Sequence, residues 1–241
     1  MSNIRIDDLN LDGLKIMQYT DSYAFSSDSV LLANFVLTKS KDVCVEIGTG
    51  SGVVSVLVNY KNKLKKIYAF EIQQKLASLA SDNFKLNNMQ DKIEVINDSI
   101  QNHTKYIPNG SISVVFCNPP YFKENACQKN PNPELAIARH ETYLPLKDLC
   151  KSTSKMLKFG GKFFVVYPAS RIAELIYELK NNNLEPKRMY FAQPNQNKNA
   201  SVVLMECTKG GKSGAVVLPT LITNNLDGDY VQTIQKLYKG K

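Results

Sequence analysis

Val45-Glu46-Ile47-Gly48-Thr49-Gly50-Ser51-Gly52 is the stretch that decides the fold of this chain. It links an apolar run, Asp42 to Ile47, to a helical pattern, Val53 to Tyr60, and so reads as a buried strand, a glycine turn and the opening of a helix. Glycines permit the tight turn and let a ligand approach the backbone, and the helix N-terminus presents free N–H groups. A turn that holds pyrophosphate usually shows Gly-x-Gly-x-x-Gly. Here the spacing is Gly-x-Gly-x-Gly, and Glu46 precedes the first glycine by two positions. A carboxylate there repels a pyrophosphate and accepts hydrogen bonds from an ammonium group.

Outward from this turn, short apolar runs alternate with helical patterns, the mark of βαβ units and a mostly parallel sheet. Lys66 to Phe70, Ile93 to Ile96 and Ile112 to Cys117 read as strands two to four, and Gln73 to Asn88 as the second helix. After a polar, proline-bearing insertion, Lys123 to Pro133, a helix runs from about Leu146 through Lys158. Gly160 and Gly161 are expected to stop it before a fifth strand, Lys162 to Tyr167. Ile172, Leu175, Ile176 and Leu179 mark one face of a further helix. Met189 to Ala192 and Ala200 to Cys207 form a hairpin that closes the sheet with an antiparallel last strand. The N-terminal 27 residues read as polar and irregular, Ser26 or Ser27 as the N-cap of a helix over Asp28 to Leu37, and Ala215 to Leu218 as a strand after a flexible basic turn. The whole chain is expected to be one domain: an N-terminal extension over 1–40, a core over 41–208 and a C-terminal appendage over 209–241.

The 241 residues, 43% hydrophobic and 22% charged, exclude a disordered or fibrous chain. No apolar run approaches the roughly 20 residues of a membrane span. The N-terminus has no cationic start or apolar stretch of a secretory signal, so cytoplasmic residence is expected. Five widely spaced cysteines without a Cys-x-x-Cys pair, beside only two histidines, favour neither a disulfide framework nor a metal site. Cys44, Cys117 and Cys207 fall in strand-like runs, where a thiol acts as a small hydrophobe.

Charge is uneven. Residues 1–150 carry 16 basic and 16 acidic side chains and residues 151–241 carry 14 and 6, so the net +8 lies in the last third. Such asymmetry suits a polyanion partner. Lys147, Lys151, Lys155 and Lys158 are spaced to share one helix face opposite Leu146, Leu149, Cys150, Thr153, Met156 and Leu157, and Lys151, Lys155 and Lys158 are candidates for RNA binding. An ordinary solvated face explains the same spacing.

Two more acidic residues follow strand ends in order. Glu71 ends the second strand, where a carboxylate can accept both hydroxyls of a ribose. Asp98 follows the third, where it can accept from an adenine amino group. With Glu46, Gly48, Gly50 and Gly52 they point to S-adenosylmethionine as cofactor. Strand four runs into Asn118-Pro119-Pro120-Tyr121. Consecutive prolines fix an extended loop and remove two N–H donors. The Asn118 carboxamide oxygen and the Pro119 carbonyl make a pair of acceptors suited to a planar –NH₂ group, and Tyr121 offers a face on which a flat substrate can stack. The same residues can be a structural turn, since Asn-Pro starts turns often.

On Phe25-Ser26-Ser27-Asp28-Ser29-Val30-Leu31-Leu32-Ala33, Asn118-Pro119-Pro120-Tyr121-Phe122 and Ala138-Arg139-His140-Glu141, the chain resembles the class I amino-methyltransferases, over about residues 20 to 208. Within them it is similar to the bacterial tRNA adenine-N6 methyltransferases that modify the adenosine 3′ to the anticodon of a valine tRNA. The resemblance implies an α/β, Rossmann-like sheet of seven strands, S-adenosylmethionine held by Glu46, Gly48, Gly50, Gly52, Glu71, Asp98 and Asn118, catalysis at Asn118, Pro119, Pro120 and Tyr121, and tRNA as partner. It also places Arg139 and His140 near the active-site mouth, Arg139 as the better phosphate fork; an exposed helix start accounts for them equally well. Protein-glutamine N5-methylation and ribosomal guanine-N2 methylation are the close alternatives, and a catalytically silent adenosyl-binding RNA chaperone the distant one.

Overall fold

The computed structural model describes residues 4–20, 25–120, 144–225 and 229–231. The sequence builds the central sheet from β3 (Val43–Ile47), β4 (Lys66–Phe70), β5 (Ile93–Ile96), β6 (Ile112–Cys117), β7 (Leu157–Pro168), β8 (Leu184–Gln193) and β9 (Val202–Lys209). In space the order is β5-β4-β3-β6-β7-β9-β8, parallel except for β9, which runs against both neighbours. Two short strands, β10 (Val216–Val217) and β11 (Leu221–Ile222), pair with β8 and widen the expected seven strands to nine.

Continuous apolar strands arise because both sheet faces are covered. Along β6, Val114 and Phe116 join the core cluster beneath α1 (Ser27–Phe35), α2 (Val53–Asn62) and α3 (Gln74–Leu86). Val115 and Cys117 join the cluster beneath α4 (Leu146–Met156) and α5 (Ile172–Asn181). The helices α2 and α3 follow β3 and β4 on one face, and α4 follows β6 on the other. The winding therefore reverses between β3 and β6, and a crevice opens beyond their carboxyl ends.

Two expectations fail and a third holds in part. The N-terminal stretch is not irregular: Ile4–Asp8 (β1) and Lys15–Tyr19 (β2) form an antiparallel hairpin. Its stability comes from far away. On α3 the Asn83 Oδ1 accepts from Met17 N at 2.6 Å and its Nδ2 donates to Met17 O at 3.0 Å. Asn87 makes the same pair with Lys15 N at 3.0 Å and Lys15 O at 2.7 Å. Four residues of helix advance about 6 Å and two residues of strand about 6.7 Å, so the two carboxamides act as a side-chain strand edge for β2. Secondly, α4 ends at Met156, and Leu157 and Lys158 already belong to β7. Gly160 and Gly161 therefore lie inside that strand, where the register with β6 shifts between Ile112 and Val114, a bulge rather than a helix stop. Thirdly, Ser26 occupies the N-cap of α1 as expected, though its hydroxyl makes no capping bond, and the helix stops at Phe35 rather than Leu37.

Asn83 is fully buried and its Nδ2 also donates to Ser51 O at 2.8 Å, so one side chain ties the hairpin to the glycine turn. Asn83→Ala leaves three backbone groups without this partner and should lower unfolding free energy by about 1–3 kcal/mol, read from urea midpoints. An unchanged midpoint would show that the hairpin docks without it.

Candidate functional site

The crevice holds an open cleft of about 1030 Å³, solvent at its mouth included. Its wall brings together Glu46, Gly48, Gly50, Glu71, Asp98 and Asn118, which lie far apart in the chain. Backbone bonds between neighbouring strand ends fix their relative heights. Gly48 N and Thr49 N both donate to Phe70 O, at 2.9 and 3.0 Å, and Glu71 N donates to Ile96 O at 3.0 Å. Gly52 has a φ of +87°, and a Cβ there would stand 2.6 Å from Phe84 Cε1, so only glycine lets α2 start so close to α3.

Glu46 is 2% exposed. Its Oε2 accepts from Thr49 Oγ1 at 2.6 Å and from Ser55 Oγ. Burial pushes its carboxyl up to about 7 against the pull of these hydroxyls. Glu71 is also buried; its Oε2 accepts from Gly50 N at 2.9 Å and its Oε1 from Gln73 N at 3.0 Å, while burial raises its carboxyl. Neither carboxylate has a cation partner among the described residues. Asp98 is different. Its Oδ1 accepts from Asn102 Nδ2 and Ser99 N, both at 2.7 Å, and its Oδ2 from Tyr106 Oη at 3.1 Å and Lys105 Nζ at 3.2 Å. The Asn102 bond leads these contacts in holding the carboxyl down at about 2.

At the end of β6, Asn118 Nδ2 donates to Ser29 Oγ at 3.1 Å, and no hydrogen bond engages its Oδ1 among the described residues. Pro120 lies on the same wall. Tyr121, Arg139 and His140 fall outside the described residues. Ser29, Phe25 and Thr49 line the cleft without having been assigned a role from the sequence; only Phe25 and Ser29 carried a signal, as part of the resemblance. The lysine stripe does not gather at the site. Leu144 touches the cleft, so α4 begins at its mouth and runs away. Gly110 N bonds to Lys155 O, and Lys158 Nζ donates to Ser113 Oγ at 3.0 Å. Lys158 thus lies beside the start of β6, about 16 Å along the strand from Asn118.

The Glu46 carboxyl titrates higher folded than unfolded, so the stability it confers is complete below about pH 4.5 and is lost as pH rises through about 7. Relative to Glu46→Gln, the wild-type chain should lose about 3 kcal/mol between pH 4.5 and 8 in urea unfolding. Parallel pH profiles for the two proteins would refute the assignment.

Comparison with known proteins agrees with this architecture. A tRNA1(Val) (adenine(37)-N6)-methyltransferase from Flavobacteriaceae bacterium (strain 3519-10) is 27% identical over 204 residues, covering 78% of this chain and 83% of that protein. A protein of the same name from Aliivibrio salmonicida (strain LFI1238) is 25% identical over 222 residues, covering 88% and 89%. Among solved structures, a predicted O-methyltransferase from Agrobacterium tumefaciens superposes with a TM-score of 0.72 at 18% identity, over 88% of this chain and 96% of the other. Geranyl diphosphate C-methyltransferase from Streptomyces coelicolor A3(2), solved with S-adenosyl-L-homocysteine, gives 0.55 at 12% identity, over 74% and 78%. At these identities the two structures speak for the fold alone. The methyltransferase small domain model matches residues 22–180, most of the chain and all four strand ends that build the cleft. The chain belongs to the methyltransferase small domain family.

Proposed function

We propose that the chain transfers the methyl group of S-adenosylmethionine to the exocyclic N6 amine of an adenosine in tRNA, the adenosine at position 37 of tRNA1(Val), as the curated relatives are named to do. The observation that carries this reading is the Asn118 Oδ1, which accepts no hydrogen bond among the described residues, beside a cleft floored by two buried carboxylates that meet no cation among those residues. The donor fits that cleft. Its cationic methionine end suits Glu46, its ribose suits Glu71, whose two oxygens each keep a lone pair beyond the one backbone bond shown, and its adenine suits the ionised Asp98. The glycines hold Glu46 and Glu71 at the height of the turn.

S-adenosylmethionine supplies an electrophilic methyl on a sulfonium. The residues of the chain align the nucleophile. Asn118 Oδ1 and the Pro119 carbonyl each accept one amine hydrogen, which draws the nitrogen out of conjugation, and Tyr121 stacks on the extruded base. The nitrogen lone pair forms the N–C bond as the S–C bond breaks; the cationic nitrogen then releases a proton to water, so no side chain is required as base. Alignment of two bound reactants is worth roughly 7–11 kcal/mol at best. A loop adenosine needs less extraction than a duplex base. On α4, Lys147, Lys151 and Lys155 form no ion pair among the described residues, and they extend from the mouth of the cleft along one face to hold the RNA backbone.

Methyl-labelled donor offered with unmodified tRNA, ribosomal RNA or release factor should label tRNA, at adenine, and Asn118→Ala should cut turnover by about a hundredfold or more with donor affinity kept. Label in release factor or in guanine of ribosomal RNA would replace this reading with glutamine or guanine methylation. Charge reversal gives a second check. Lys147→Glu with Lys151→Glu should weaken tRNA binding about tenfold at moderate salt and flatten its salt dependence, whereas Lys158→Glu should change little. Equal effects from both variants would remove α4 from the interface.

A further inference from the structure

We propose that Ser29 is a positioning residue for the reaction: its hydroxyl anchors the Asn118 carboxamide at the wall of the cleft. The inference rests on the reading of Asn118 as the amine acceptor given above. A carboxamide on a rotatable side chain keeps one place only where a partner holds it. Asn118 has one such partner among the described residues, Ser29 Oγ, at 3.1 Å from Nδ2. With the NH₂ corner bound there, the oxygen is the corner left for an incoming –NH₂. The reversed amide would aim two donors at a donor. The Ser29 hydroxyl can pair with either corner, so it sets the place of the carboxamide, and the substrate's need for an acceptor favours the orientation seen.

The hydroxyl is itself held in place. Ser29 is 6% exposed in the first turn of α1, and its N–H donates to Ser26 O at 3.1 Å. The entry to α1 is fastened in turn, because Phe25 N donates to Oε1 of the buried Gln18 at 2.8 Å, and Gln18 belongs to β2, which Asn83 ties to the glycine turn. One chain of hydrogen bonds thus runs from the cofactor turn through the N-terminal hairpin to the side chain that would align the nucleophile. This gives the hairpin a task beyond covering α3.

Ser29→Ala keeps a helix-forming residue and removes only the hydroxyl, so the fold should persist. Turnover with tRNA should fall about tenfold while donor affinity, by calorimetry, stays within about twofold. In the Asn118→Ala background no carboxamide remains to be held, so adding Ser29→Ala should cost about threefold or less. An equal cost in both backgrounds, an unchanged turnover in Ser29→Ala, or a parallel loss of donor affinity would each overturn the proposal. A second readout needs no substrate: the Asn118 side-chain amide resonances, identified by their loss in Asn118→Asp, should shift in Ser29→Ala, and their constancy would refute the contact. If the wild-type chain methylates no RNA, the functional reading fails while these resonances still decide the Ser29 contact.

Discussion

The parallel pairing of β3 with both β4 and β6 is the constraint on which the site depends. Ile47 lies opposite Phe70 on one side and Cys117 on the other, so the three strands end at one level. Parallel strands require crossovers, the crossovers leave in opposite directions from β3 and β6, and the gap between them must stay open. Residues that follow strand ends then have nowhere to be except around that gap. Glu71, Asp98 and Asn118 converge for this reason, though 27 and 20 positions separate successive members. The cross-strand bonds from Gly48, Thr49 and Glu71 N–H groups, and from Cys117 Sγ to Ile47 O at 3.1 Å, hold the level.

The contrast between buried carboxylates separates architecture from chemistry. Glu206, in the middle of β9 and 4% exposed, meets Lys162 at 2.7 Å and also Arg188, and these cations hold its carboxyl below its ordinary range despite the opposing burial. Its charge is complete within the fold. Glu46 and Glu71 are buried to a similar degree, yet among the described residues only hydroxyls and backbone N–H groups bond to them, and both are pushed upward. Leaving two carboxylates so close without a cation disfavours the empty fold, and a cationic ligand reverses that penalty. Selective binding of a sulfonium-bearing amino acid derivative over a pyrophosphate follows from the same arrangement.

What could be read in the sequence follows from the range of the forces involved. β4, β5 and β6 were bounded correctly because each is a short, mostly apolar run closed by polar residues, a pattern that burial on both faces makes plainest in β6. The N-terminal hairpin was illegible for the opposite reason: Ile4 and Ile6 remain 50% and 58% exposed, and the bonds that dock β2 reach 66 to 72 residues along the chain to Asn83 and Asn87. Helical periodicity carried Lys158 onto α4, although tertiary pairing with β6 had already claimed Leu157 for β7. Within the site, the strand-end acids and Asn118 were legible as residue types in order. Ser29 was visible only as a member of the motif that carries the resemblance, and its role was not, since its contact with Asn118 spans 89 residues.

The charge asymmetry of the last third needs the structure to be interpreted. Lys162 and Arg188 neutralise Glu206, Lys180 pairs with Glu185 and Arg171 with Glu174, so several of its cations serve the sheet and α5 rather than a partner. Lys187 and Lys209 donate to backbone carbonyls of Lys212, Gly214 and Leu157. The ion pairs are already cancelled in the net +8, so they do not shrink it; they show which cations are committed to the fold and which remain to supply a field. The face that retains its charge is that of α4, whose first turn adjoins the cleft and whose exposed lysines point along an axis of about 16 Å. On the proposed function, an RNA backbone laid along that axis would deliver its unpaired base to Asn118 from the side opposite the hairpin and α1, so that α4 would grip the acceptor and α1 would hold the carboxamide.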